Sequence, residues 1–150
     1  MTKEIDNPIT LKRYSALDQI CQKFGVTTLY VFGSQVQTAQ DWIEGRQGDR
    51  PQGLSDVDVG VRIVAGRKLS ITEKVTLALA LEDLFASIRV DLVILNEADP
   101  FLAAEVIRGE RLFAQDKHEA DEYDLYVLRR AGDLSPLERE RIGLVLGETR

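Results

Sequence analysis

Two carboxylates separated by a single residue, in Ser55-Asp56-Val57-Asp58-Val59-Gly60-Val61, form the first pattern in this chain that implies chemistry. On an extended strand, alternate residues share a face. Asp56 and Asp58 therefore point together, while Val57, Val59 and Val61 point into the core. Their Cα atoms would stand about 7 Å apart, near enough for flexing carboxylates to converge on shared cations. Left alone, the two charges repel each other and lose solvation, so the pair calls for a compensating positive charge. One histidine and one cysteine cannot assemble a zinc site, so any metal here is held by oxygen. Magnesium, which commonly joins carboxylates to substrate phosphates, is the natural ion.

A third acid, Asp91, lies within Ile88-Arg89-Val90-Asp91-Leu92-Val93-Ile94-Leu95. A charge inside such an apolar run is costly unless it is paired or bound to metal. The segment between Asp58 and Asp91 has room for a strand, a helix and a second strand, which lets the two strands lie side by side. The third carboxylate then faces the first two. Gly33-Ser34 follows directly on the apolar run Thr27-Thr28-Leu29-Tyr30-Val31-Phe32. Glycine permits close backbone approach, and free N–H groups with a serine hydroxyl can hold a phosphate. Each feature alone has a plainer reading: the polar face of a strand, an ion pair of Asp91 with Arg89, an ordinary turn. In order, and at compatible element ends, they read as one site.

The elements that must position these residues follow from periodicity. Thr10 can cap a helix whose Leu11, Tyr14, Leu17, Ile20, Cys21 and Phe24 form one apolar stripe, stopped by Gly25. Residues 27–32 form a strand, and Asp56 to Ile63 a second. The polar stretch from Gln35 to Leu54 begins as a short helix and continues as a mobile loop carrying Gly45, Gly48, Pro51 and Gly53. Ser70 and Glu73 make a capping box for a helix that buries Leu77, Leu81, Leu84 and Phe85. Ile88 to Leu95 is apolar on both faces, as a central strand covered on both sides would be. Asp99-Pro100 starts a helix that Gly109 ends, and Arg111 to Gln115 is a short edge strand. Two helices close the chain over about residues 119–147, the second opening at Ser135-Pro136-Leu137-Glu138. There is no internal repeat and no linker, so residues 1–150 read as a single domain with its core in about residues 10–115.

Phe32-Gly33-Ser34, then Ser55-Asp56-Val57-Asp58-Val59, then Val90-Asp91-Leu92-Val93 resembles the signature of the DNA polymerase beta-type nucleotidyltransferase superfamily. The small size is similar to that of its minimal (MNT) branch, and the match runs over roughly residues 10 to 115. The resemblance implies an α/β (α+β) fold, a mixed sheet of about four strands flanked by helices. It implies that Asp56 and Asp58 bind two magnesium ions, and that Asp91 is a third ligand, a proton acceptor, or both. Gly33 and Ser34 would hold the triphosphate of ATP or another nucleoside triphosphate. The implied reaction is attack of a hydroxyl on the α-phosphorus with departure of pyrophosphate. Many minimal members are antitoxins paired with a HEPN-domain toxin, and some transfer AMP to a tyrosine of that partner. The implied partner is therefore a HEPN-domain protein. Two departures stand out. The 21 residues between Ser34 and Asp56 exceed the family's usual spacing, and Gln35-Val36-Gln37-Thr38 holds no second glycine. The inserted stretch, with Trp42, Arg46, Asp49 and Arg50, suits a lid or a partner-contact loop.

Composition fixes the setting. At 44% hydrophobic and 29% charged residues the chain reads as a globular protein. A net charge of −6 argues against extended nucleic-acid binding, which needs clustered cations. No apolar run suits a membrane span or a signal peptide, and the lone Cys21 makes a reducing cytoplasm the expectation. The oligomeric state, a homo-oligomer included, is left open. Trp42 reads as partly buried, Arg46 and Arg50 as solvated, Tyr123 and Tyr126 as packing residues, and His118 as a surface residue. Glu119, Asp121, Glu122 and Asp124 suit the positive end of a helix. Against protein-directed transfer stand two other readings. One is an inactive module that neutralises its partner by covering it. The other is a small-molecule transferase of the aminoglycoside type, for which the residues after the last strand leave little room.

Overall fold

A computed structural model describes residues 8–46, 56–86 and 88–145, with side chains through residue 132. Five α-helices and four strands alternate along the described residues. They are α1 (Pro8–Phe24), β1 (Val26–Phe32), α2 (Val36–Ile43), β2 (Val57–Ile63), α3 (Ile71–Leu84), β3 (Val90–Ile94), α4 (Pro100–Ile107), β4 (Glu110–Ala114) and α5 (Lys117–Val145). The sheet runs β3-β2-β1-β4. β1 is antiparallel to both β2 and β4, while β2 and β3 are parallel and joined through α3. This is the mixed four-stranded sheet that the family resemblance implies.

Every residue of β1 is buried, because helices cover both of its faces. Leu29 and Val31 pack with Val57, Val59 and Val61 of β2 against Leu17, Cys21 and Phe24 of α1 and Leu77 and Leu81 of α3. Tyr30 and Phe32 face the opposite way, into a smaller cluster with Ala103, Ala104 and Val106 of α4 and Val127 and Ala131 of α5. The strand alternation thus divides the molecule into two apolar layers on either side of the sheet.

Local chemistry sets several element ends. Ser70 Oγ accepts from Glu73 N–H, and Glu73 Oε1 accepts from Ser70 N–H, so the expected capping box starts α3. Asp99 Oδ1 accepts from Leu102 N–H, with Pro100 at the first position of α4. Thr10 departs from its expected role as a cap. It is buried within α1 and its hydroxyl donates to the Glu44 carbonyl just past α2. Trp42 is partly buried, as expected: Nε1 donates to the Leu84 carbonyl at 2.9 Å and the Arg13 guanidinium lies 3.7 Å above the ring.

Three other expectations need correction. Among the described residues β3 is an edge strand, hydrogen-bonded only to β2. It still reads as apolar on both faces because Val90 and Ile94 pack in the larger cluster while Val93 and Leu95 pack in the smaller one. The two expected C-terminal helices are one, α5, which continues through Ser135-Pro136. Proline removes one donor from a long hydrogen-bonded run, and the remaining turns carry the helix past it. Tyr126 is half exposed, leaving only Tyr123 of that pair against the smaller cluster. The expected mobile loop lies largely in residues 47–55, outside the described residues.

Candidate active site

β1 delivers the chain to the site. Its last residue, Phe32, is in register with Asp58 of β2, and Asp58 is in register with Asp91 of β3. Paired residues on neighbouring strands project from the same face, with strands about 4.8 Å apart, so Asp58 and Asp91 stand side by side on the face that carries α4. Asp56 sits just before β2 and is exposed. Gly33 begins a 3-10 turn, Gly33–Gln35, that leads into α2. Its φ of +82° is a conformation that side-chain-bearing residues rarely adopt, and a Cβ added here would lie 2.5 Å from Asp58 Oδ2. The turn therefore rests directly on the carboxylate. Gly33 and Ser34 are both exposed, so their backbone and the serine hydroxyl are open to a ligand.

Asp58 is only partly accessible, and its carboxyl is raised above the ordinary aspartate value. Burial is the main cause, followed by the negative charges of Asp91, Asp56 and Glu105. Among the described residues none of the three aspartates has an ion-pair or hydrogen-bond partner. The site is thus an uncompensated concentration of negative charge with oxygen donors only, which is the donor chemistry a magnesium ion takes. No three carboxylates among the described residues stand close enough to enclose an ion as placed. Asp91 is exposed, which corrects the expectation of a costly interior charge. It is the second residue of β3, near the strand's N-terminal end.

Glu105 was not foreseen. A single acid within Pro100-Phe101-Leu102-Ala103-Ala104-Glu105-Val106-Ile107 is the available signal, since an otherwise apolar helix has no evident use for it. Gly60 brings Glu105 into range: a Cβ there would lie 2.3 Å from Val106 Cγ1, so the missing side chain lets α4 settle on β2. Asp121 and Asp124, expected to serve only the helix dipole, instead clamp α5 to the sheet. Arg111 reaches Asp121 at 2.7 Å and Asp124 at 3.2 Å, and the buried Tyr30 hydroxyl donates to Asp124. Arg46 pairs with Asp41 and Glu44. His118 is on the surface beside Glu122, as expected.

A mixed sheet with a glycine–serine turn at the end of one strand and facing aspartates on the next two defines the nucleotidyltransferase fold. The family model described as "Polymerase beta, Nucleotidyltransferase" matches residues 15–118, and the chain belongs to this family. Among solved structures, a chain of a toxin–antitoxin structure with AMP-PNP is similar at a TM-score of 0.65 and 20% identity, over 89% of this chain and 98% of that one. A chain from the complex of tri-AMPylated Shewanella oneidensis HEPN toxin with MNT antitoxin is similar at 0.64 and 16% identity, over 91% and 98%. A chain of a toxin–antitoxin MntA-HepT structure matches at 0.63 and 17%, again over 91% and 98%. No curated protein gives a significant match.

Proposed function

We propose that this protein is a magnesium-dependent nucleotidyltransferase that moves AMP from ATP to a hydroxyl of a partner protein, as the antitoxin of a HEPN/MNT pair. The observation that carries the reading is the register of Asp58 with Asp91 beneath the Gly33 turn. In this reading the turn would hold the phosphates and the aspartates beside it would hold the cations. Support for the biology comes from the similar structures, whose names include MNT antitoxin with AMPylated HEPN toxin and a toxin–antitoxin with AMP-PNP.

Asp56, Asp58 and Asp91 would hold two magnesium ions, whose chemistry when bound is to stabilise charge on the entering and leaving oxygens. Gly33 and Ser34 hold the β- and γ-phosphates through N–H groups and the hydroxyl. The acceptor oxygen forms a bond to the α-phosphorus, the bond from that phosphorus to the bridging oxygen breaks, and pyrophosphate leaves. Asp91, exposed at the sheet edge, would take the acceptor's proton. An edge position also suits a protein acceptor, which has to reach the site from outside the fold.

Asp56→Ala and Asp58→Ala are expected to abolish transfer and leave the fold intact, read by adduct formation on the partner and by circular dichroism. Retained transfer by either purified variant would contradict the assignment. A second reading is neutralisation by binding alone. It predicts that both variants still neutralise the partner and that no adduct forms with the unaltered protein.

A further inference from the structure

Arg62 shares a face of β2 with Asp58 but stands four residues further along, about 13 Å away on an extended strand. There a cleft of about 370 Å³ opens between β2, the start of α4 and α5, with Arg62, Tyr123, Tyr126 and Arg130 around a floor that includes Leu95 and Val127. The volume lies in the range of small-ligand sites. Its polar side chains are the two guanidiniums, the Tyr123 and Tyr126 hydroxyls and Asn96. The Arg62 guanidinium lies 4.2 Å from the centre of the Tyr123 ring, and Arg130 donates to the Tyr126 hydroxyl at 3.1 Å. Neither arginine has a carboxylate partner among the described residues, although the chain carries 25 acids. Asn96, which also lines the cleft, has its amide committed on both sides: Nδ2 donates to the Ile63 carbonyl and Oδ1 accepts from Ile63 N–H.

A cleft that offers two unpaired guanidiniums, tyrosine rings and an apolar floor selects a ligand that supplies acceptors at one end and a flat surface at the other. We infer that this cleft binds a small aromatic oxyanion, a ring bearing a phosphate or a carboxylate, at a site separate from the aspartates. Arg62, in contact with the Tyr123 ring, loses less freedom on meeting a ligand than an uncontacted arginine would. Arg130 and the half-exposed Tyr126 close the outer side. A polyanion such as nucleic acid is disfavoured by the net charge of −6 around so small a basic cleft.

The test is calorimetric titration of the full chain, without magnesium, using AMP, 4-hydroxybenzoate and inorganic phosphate as probes. Saturable binding of AMP or 4-hydroxybenzoate is expected, and the stronger of the two identifies phosphate or carboxylate as the preferred head. Arg130→Gln, at an exposed position, should weaken that binding by about tenfold with the melting temperature unchanged, and Arg62→Gln should do likewise. Asp58→Asn should leave the affinity as it is. The inference is overturned if neither aromatic probe saturates by about 5 mM. It is also overturned if Arg130→Gln has no effect or if inorganic phosphate binds as tightly as the aromatic probes. Loss of partner association in Arg130→Gln, with no small-molecule binding by the unaltered protein, would assign the cleft to a protein contact and overturn it too.

Discussion

At the residue scale, the site is held together by what Asp58 touches. Its carboxyl is raised by burial first and then by three neighbouring acids, so the folded protein binds that proton more readily than the unfolded chain does. Well below the ordinary aspartate value both states are protonated and the difference vanishes. As pH rises through the interval between the unfolded and folded values, the folded state accumulates a penalty, which is complete above it. Asp58→Asn should therefore raise the melting temperature near pH 7 in metal-free buffer, with the gain fading in acid. A lower melting temperature for the variant across this range would contradict the electrostatic account. Magnesium should stabilise the unaltered protein more than the variant. Gly33→Ala is the complementary test, because it combines a left-handed φ with a Cβ 2.5 Å from Asp58 Oδ2. Displacing the carboxylate by about an ångström should lower the transfer rate by roughly a hundredfold, measured with saturating ATP. An unchanged rate would detach the turn from the chemistry.

Sequence carries these residues unequally. The alternation of a part-exposed Asp58 with the buried Val57 and Val59 follows from strand periodicity, because alternate side chains have no other choice on a pleated backbone. The exposure of Asp91 was hidden. Apolar periodicity reports which faces of a strand carry apolar residues, and here Val90 and Ile94 pack in one cluster while Val93 and Leu95 pack in the other. It is silent on whether a hydrogen-bonded neighbour lies on each side, so an edge strand passes for a central one.

At the element scale, the approach of α4 to β2 sets how near Glu105 stands to the aspartates. Gly60 permits that approach, with Val106 seated where its Cβ would be. Gly60→Ala should destabilise the protein by about 1–3 kcal/mol through overpacking, measured by denaturant unfolding. Val106→Ala in the same chain should recover a large part of that loss, since the two changes share one contact. Additive losses would show that the glycine matters for another reason. The capping boxes illustrate how far local signals reach. Ser70–Glu73 and Asp99–Pro100 start helices as read, whereas the similar pattern at Ser135–Pro136 falls inside α5. A cap motif states that a helix could begin there. It does not state that the preceding helix has ended.

At the scale of the whole molecule, the two layers have different tasks. The larger one, with α1, α2 and α3, holds the sheet; the smaller one, with α4 and α5, shares its face with Asp58, Asp91 and, further along, Arg62. The Arg111 bridge to Asp121 and Asp124 ties α5 to β4 on that same face. These long-range pairings were not legible in the sequence, because nothing local distinguishes a helix-dipole acid from one that meets an arginine across the fold. No helix among the described residues is long and apolar enough to cross a membrane. Transfer of a nucleotide by the aspartates would leave a covalent mark on the partner. Its most direct measurement is the intact mass of a co-expressed HEPN-domain partner after incubation with ATP and magnesium. The account predicts a gain of one or more adenylate masses with the unaltered protein and none with Asp58→Ala. An unmodified partner in the presence of the unaltered protein, or the same adduct with Asp58→Ala, would contradict it.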